Sequence, residues 1–166
     1  MAALSVGAQA PDFTLSGIDG RQYSLSAALE QGPLLAVFIK TTCPVCDLTM
    51  PYLNRLTEAY ADQRWQLWVI TQDDQQASQR YAQTFEASFP LVVDDPADGW
   101  AVSRAYDPPA TPTLFLVGPD GRVQFSGQGF SKADLNALGE RIAGHLGVQP
   151  AVVAEPNDGN PDFRPG

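Results

Sequence analysis

The sequence predicts an α/β fold: a mixed central β-sheet flanked by helices on both faces, with an extra N-terminal hairpin. Three observations predict it. The run 34–39 is continuously apolar and of strand length, the pattern of a strand covered on both faces, and 65–71 and 113–117 read as further buried strands. Segments with helical spacing alternate with them. The third run is followed by Gly118-Pro119-Asp120-Gly121 and a returning strand, so the sheet cannot be wholly parallel.

The elements follow in order. Residues 12–15 and 22–25 read as short strands around the turn Gly17-Ile18-Asp19-Gly20. Ser24 or Ser26 suits the cap of a short helix through Glu30, and Gly32-Pro33 ends it. The first buried strand, 34–39, runs into Lys40-Thr41-Thr42 and then the cysteines. From Pro44 to Tyr60 the apolar positions Val45, Leu48, Tyr52, Leu53, Leu56 and Tyr60 keep helical spacing, with Pro51 expected to kink the helix. The strand at 65–71 comes next. Asp73 and Asp74 open a Gln-rich helix through Phe85, 91–93 is a short strand, and 95–106 holds a helical turn. Thr113 starts the third buried run, 122–126 pairs back on it, and Ser131 caps a last helix over 132–145. After Gly147 four prolines and few large apolar residues predict a mobile tail, so the division is 1–148 as one domain and 149–166 as tail.

Composition narrows the function classes. The chain has 166 residues, 44% hydrophobic and 17% charged, enough for one full core. Ten basic against 19 acidic residues give a net charge of -9, which disfavours nucleic acid and anionic membrane partners. No apolar run is long enough to span a membrane. The opening residues Met1 to Gly7 carry neither a basic stretch nor a long apolar core, so no secretory leader is read and a cytoplasmic setting is expected.

The chemistry concentrates in Thr41-Thr42-Cys43-Pro44-Val45-Cys46. Cys43 falls where a helix begins and unpaired backbone N–H groups point outward. Their partial positive charge favours the thiolate, the species that attacks a disulfide. Pro44 suits the first helical position, where a missing N–H costs nothing. Cys46 lies one turn further in, more buried yet close enough to resolve a mixed disulfide on Cys43. The pair therefore reads as nucleophile and resolving thiol. Two other readings carry less weight. A zinc site needs about four ligands, and His145 is the one further soft candidate; it suits a helix C-terminus better. A purely structural disulfide in so small a ring constrains little chain entropy. No metal and no prosthetic group are expected.

The stretch from Val37 to Leu53, Val-Phe-Ile-Lys-Thr-Thr-Cys-Pro-Val-Cys-Asp-Leu-Thr-Met-Pro-Tyr-Leu, resembles the active-site strand and helix of thioredoxin-like proteins, closest to the TlpA-like and redoxin branch related to peroxiredoxins. Pro51 matches the helix proline of that fold. Gly7-Ala-Gln-Ala-Pro-Asp-Phe13 resembles the redoxin N-terminal motif, and Thr111-Pro112-Thr113-Leu-Phe-Leu116 with Pro119-Asp-Gly121 resembles the cis-proline strand and its hairpin. The resemblance spans residues 6–146 and leaves the tail outside. It implies a thiol–disulfide oxidoreductase. Pro112 would be the cis-proline presenting the backbone beside Cys43, and Thr111 would pair with an extended substrate segment. Thr42, Pro44, Thr111 and Pro112 would together meet substrate. Partners would be protein or low-molecular-weight disulfides and thiols, with a dithiol electron donor.

Several positions depart from the pattern. Thr42 stands where thioredoxins usually carry Trp, Val37 where they hold a buried acid, and Thr49 where many TlpA-like proteins have Glu. Deprotonation of Cys46 then needs water or Asp47. Asp47 is also a plain dipole partner for its helix, and Lys40 a plain strand-end lysine. Their effects on Cys43 oppose each other, so these residues leave the direction of any net thiol shift open. Two alternative functions remain. A peroxiredoxin-like thiol peroxidase would need Thr three residues before the cysteine and Pro four before that; Lys40 and Ala36 stand there, and Arg104 or Arg122 would have to serve as its arginine. A redox-switched binding module would use the groove at Thr42, Thr111 and Pro112, with Trp65/Trp68 or Trp100/Tyr106 as docking aromatics, although their spacing suits core packing better.

Overall fold

The computed structural model describes residues 4–166; Met1 to Ala3, part of the opening read above for a leader, lie outside the described residues. The chain opens with β1 (Thr14–Gly17) and β2 (Gln22–Ser24), an antiparallel hairpin, and α1 (Leu25–Leu29). Of the two candidate caps it is Ser24 that closes α1, its Oγ accepting from the Ala27 N–H. β3 (Leu34–Ile39) leads into α2 (Pro44–Ala59), β4 (Gln66–Thr71) into α3 (Gln75–Thr84), and β5 (Leu91–Val93) into a 3-10 turn (Pro96–Asp98) and α4 (Ala101–Tyr106). β6 (Thr113–Val117), β7 (Val123–Gln128) and the short β8 (Phe130–Ser131) precede α5 (Lys132–Leu146), capped by Ser131. A last short strand, β9 (Phe163–Arg164), pairs with β8.

The main sheet has the order β2-β1-β5-β4-β3-β6-β7. β3, β4 and β5 run parallel, while β1, β6 and β7 pair antiparallel with their neighbours. It is the predicted mixed sheet with its extra hairpin. Alternation along the central strands feeds two cores. Leu35, Val37 and Ile39 of β3 join Leu67, Val69, Leu114 and Leu116 under α2 and α5. Leu34, Ala36 and Phe38 join Trp68, Ile70, Phe115 and Val117 under α1 and α4. Each such side chain contributes about 1.5–3 kcal/mol when fully buried, and β3 is buried on both faces. That is why its sequence reads as an unbroken apolar run. Trp68 and Tyr106 are core residues, as their spacing suggests, whereas Trp100 is 43% exposed.

α2 continues unbroken through Pro51. The ring removes one N–H donor, but Met50, Tyr52, Leu53 and Leu56 are buried around it. Tertiary packing of that face offsets the local cost.

The segment 149–166 departs from the expectation of a mobile tail. Val153 and Ala154 are buried. Asn136 reads their backbone: its Oδ1 accepts from the Val153 and Ala154 N–H groups and its Nδ2 donates to the Ala154 carbonyl. Lys132, whose side chain is only 6% exposed, donates to the Glu155 carbonyl at 2.8 Å and pairs with Asp158 at 2.7 Å. Tyr52 Oη donates to Asp158 and accepts from Asn160 Nδ2. Composition suggests mobility because the segment has few large apolar groups. It is held instead by polar groups that recognise its backbone, and such pairings leave no local trace in sequence.

Candidate active site

The topology brings two loops to one sheet end. β3 ends at Ile39, and β6, antiparallel beside it, begins with Thr113 opposite Phe38. The residues after β3 and those before β6 therefore share one edge of the molecule. Ligand sites in open α/β sheets form beyond the carboxyl ends of strands, which is where the loop after β3 lies.

Cys43 is the N-cap of α2, with Pro44 at the first helical position. Its Sγ accepts from the Cys46 N–H at 3.3 Å, one of the orphan donors at a helix start. The Cys43 thiol reaches the Thr111 carbonyl at 3.3 Å. Cys43 is half-buried and Cys46 fully buried; both are free thiols. Burial alone would raise the Cys43 thiol. The side chains of Cys46 and Thr111, with the backbone N–H groups of Cys46 and Val45, outweigh it and lower it below its ordinary value. Cys46 moves the other way: burial, then its hydrogen bond to Cys43, pushes it well above the ordinary range. A single helix turn thus gives the two sulfurs unlike environments.

The peptide bond Thr111-Pro112 is cis, as the resemblance implies. Thr42 and Pro44 are exposed on either side of Cys43, Thr111 is half-buried, and Pro112 is buried. The site residues expected from sequence thus converge. Lys40 is exposed at the end of β3. Asp47 accepts a hydrogen bond from Tyr81 Oη at 2.9 Å. Tyr81 is itself pushed well above its ordinary range, first by burial and then by that bond. Thr49 donates to the Val45 carbonyl within the helix. Arg122 donates to the Gly7 carbonyl, and His145 meets Gln124. Among the described residues no group of three or more His, Cys, Asp or Glu is arranged to hold a metal ion, and no helix is long and apolar enough to cross a membrane.

Two residues of the site escape sequence reasoning. Asp73 Oδ2 accepts from the Thr41 N–H at 2.7 Å and fixes the loop ahead of Cys43. Tyr81 fixes Asp47. Both act across more than thirty residues of chain, and in sequence Asp73 reads only as a helix opener.

Residues 6–126 match the family model of the AhpC/TSA family. The chain is 32% identical over 123 residues to the thiol-disulfide oxidoreductase ResA of Geobacillus thermodenitrificans, covering 74% of this chain and 68% of that protein. The ResA of Bacillus anthracis is 26% identical over 121 residues, covering 72% and 68%. Among solved structures, one from Chlorobium tepidum described as a thiol:disulfide interchange protein DsbE superposes with a TM-score of 0.76 at 27% identity, over 87% of this chain and 99% of that one. The peroxidoxin BcpB of Mycobacterium tuberculosis shares the fold with a TM-score of 0.67 at 21% identity, over 88% and 97%.

Proposed function

The chain belongs to the AhpC/TSA family and is an oxidoreductase of thioredoxin-like fold; we propose that it exchanges disulfides through Cys43 as nucleophile and Cys46 as resolving thiol. The observation that carries this reading is the asymmetry of the pair. A half-exposed sulfur at a helix mouth accepts the N–H of a fully buried cysteine one turn away.

The chemistry balances without a further group. The Cys43 thiolate attacks one sulfur of a substrate disulfide, and the other sulfur leaves as a thiolate that takes a proton from solvent. Cys46 gives up its proton and attacks the Cys43 sulfur. The Cys43–Cys46 disulfide forms and the second substrate thiolate departs. A dithiol donor then reduces the pair. Run backwards, the same steps oxidise a substrate. The raised Cys46 thiol keeps the second step waiting until Cys43 has become a disulfide sulfur and no longer bears the charge that opposes Cys46 ionisation. Thr42, Pro44, Thr111 and Pro112 ring the attacking sulfur and serve as its substrate contacts.

Peroxide reduction is the weaker reading. The positions that would bind peroxide oxygens hold Lys40, exposed, and Ala36, buried inside β3. The decisive experiment exposes Cys46→Ser to a disulfide substrate and looks for adducts by mass spectrometry. A mixed disulfide on Cys43 is expected. No adduct under conditions where the unaltered protein turns over would overturn the assignment, and rapid peroxide loss with sulfenic acid at Cys43 would favour the peroxidase.

A further inference from the structure

The end of the docked tail reaches the nucleophile's own contact. Asn136, Lys132 and Tyr52 fix residues 153–160 along α2 and α5. From there the Asp162 carbonyl accepts the Lys132 N–H, and β9 pairs with β8 in the register Ser131 to Phe163 and Phe130 to Arg164. The chain then runs over Gly129 and reaches Thr111 at Gly166. A Cβ on Gly166 would stand 2.6 Å from the Thr111 oxygen and 3.1 Å from Ala110 Cβ. A Cβ on Gly129 would stand 2.7 Å from the Arg164 oxygen and 3.1 Å from the Gly166 nitrogen. Both positions are glycine, and only glycine lets the two backbones approach this closely. The Thr111 oxygen is also the atom that the Cys43 thiol touches. Gly166 therefore lies close against the same carbonyl that the Cys43 thiol meets.

An extended polypeptide docks on an exposed backbone edge through main-chain hydrogen bonds. At Thr111 that edge already carries chain. A small disulfide needs only a line of approach to Cys43, which is only partly buried. We propose that Phe163 to Gly166 is a specificity-determining segment, which holds the backbone edge at Thr111 so that polypeptide disulfides must displace it while low-molecular-weight disulfides reach Cys43 past it. This rests on the disulfide-exchange reading above and sharpens its substrate class.

Two full-length variants test it. Gly166→Leu places a side chain where the Thr111 carbonyl leaves no room. Arg164→Pro removes a backbone donor from the β8–β9 ladder. Neither touches the anchors at Asn136, Lys132 and Tyr52. Single-turnover oxidation of the reduced protein is timed with insulin as polypeptide disulfide and with oxidised glutathione as small disulfide. The insulin-to-glutathione rate ratio should rise roughly tenfold in both variants, the effect of releasing a binding edge that is otherwise taken. An unchanged or lower ratio in both overturns the proposal. If Cys46→Ser of the unaltered tail traps neither substrate, the exchange reading itself has failed. If it traps both and the ratio stays put, only the role of the segment has.

Discussion

At the mouth of α2 the reactive sulfurs are held by backbone. The Cys46 N–H points at Cys43, the Thr111 carbonyl faces it from the next loop, and the Thr41 N–H is tied down by one carboxylate. Along the outer face of α2 and α5 the reverse holds. There side chains do the holding: Lys132 and Tyr52 converge on Asp158, Arg55 lies 4.7 Å over the Tyr52 ring, and Asn136 makes three bonds to the backbone of Val153 and Ala154. The difference teaches which substitutions act where. A backbone-built site tolerates changes around it and fails when the reacting atom goes. A site built from side chains fails one bond at a time.

Cys43→Ser gives the largest effect. It removes the sulfur and puts in its place a hydroxyl, which can still accept the Cys46 N–H as an N-cap, so disulfide turnover should fall by about 10³-fold or more. The urea unfolding midpoint should barely move, since Cys43 is only partly buried. A large loss of stability would mean that the sulfur also holds the mouth together, and would break the contrast between the two regions.

Asn136→Ala is the matching change on the other side. It leaves the N–H groups of Val153 and Ala154 without acceptors, at a cost of about 1–3 kcal/mol. Amide exchange of Val153 and Ala154 should speed up correspondingly, while the Cys46 amide keeps its protection. Equal acceleration at both places would show that tail and mouth open as one unit.

The contrast also explains how much can be read in the sequence. β3, β4 and β6 are visible because both their faces are buried, so apolar residues dominate each run and fill β3 completely. The Cys43 site is visible because its two sulfurs are neighbours in the chain. Pro112, some seventy residues away, comes only through resemblance. The tail escapes because Lys132 meets Asp158 twenty-six residues on and Tyr52 meets it more than a hundred residues on. A Pro-rich composition measures how much apolar surface a segment can bury. It does not measure whether a buried Lys and a half-buried Asn elsewhere will read its carbonyls and N–H groups.

The pH response of Cys43 gives a smaller effect. Its thiol is lowered by the hydrogen bonds that outweigh burial, so thiolate accumulates at lower pH than for a free cysteine. Alkylation of the native protein by iodoacetamide should label Cys43 alone. Its rate should rise through a midpoint below the free-thiol value of about 8.5. Cys46, buried and shifted the other way, should react only after unfolding. A midpoint at or above the free value would remove the backbone donors from the explanation.

Acid should loosen the tail and leave the mouth alone. Hydrogen bonds from Lys132 and then Tyr52 hold the Asp158 carboxyl well below the usual carboxylate range. Its pKa is thus lower with the tail docked than with it free. Docking is at full strength above the free carboxylate's value of about 3.9 and weakens as pH falls through that value towards the lower docked one. The Asn160 N–H, which donates to Asp158 Oδ1 at 3.0 Å, reports the change in an NMR titration. Its resonance should shift only at the acid end. The Cys46 amide, whose acceptor is a sulfur, should not follow it. An Asn160 resonance that stays fixed throughout would mean that the contacts at Val153 and Ala154 hold the tail without Asp158, and the side-chain-built region would then depend on fewer bonds than its geometry shows.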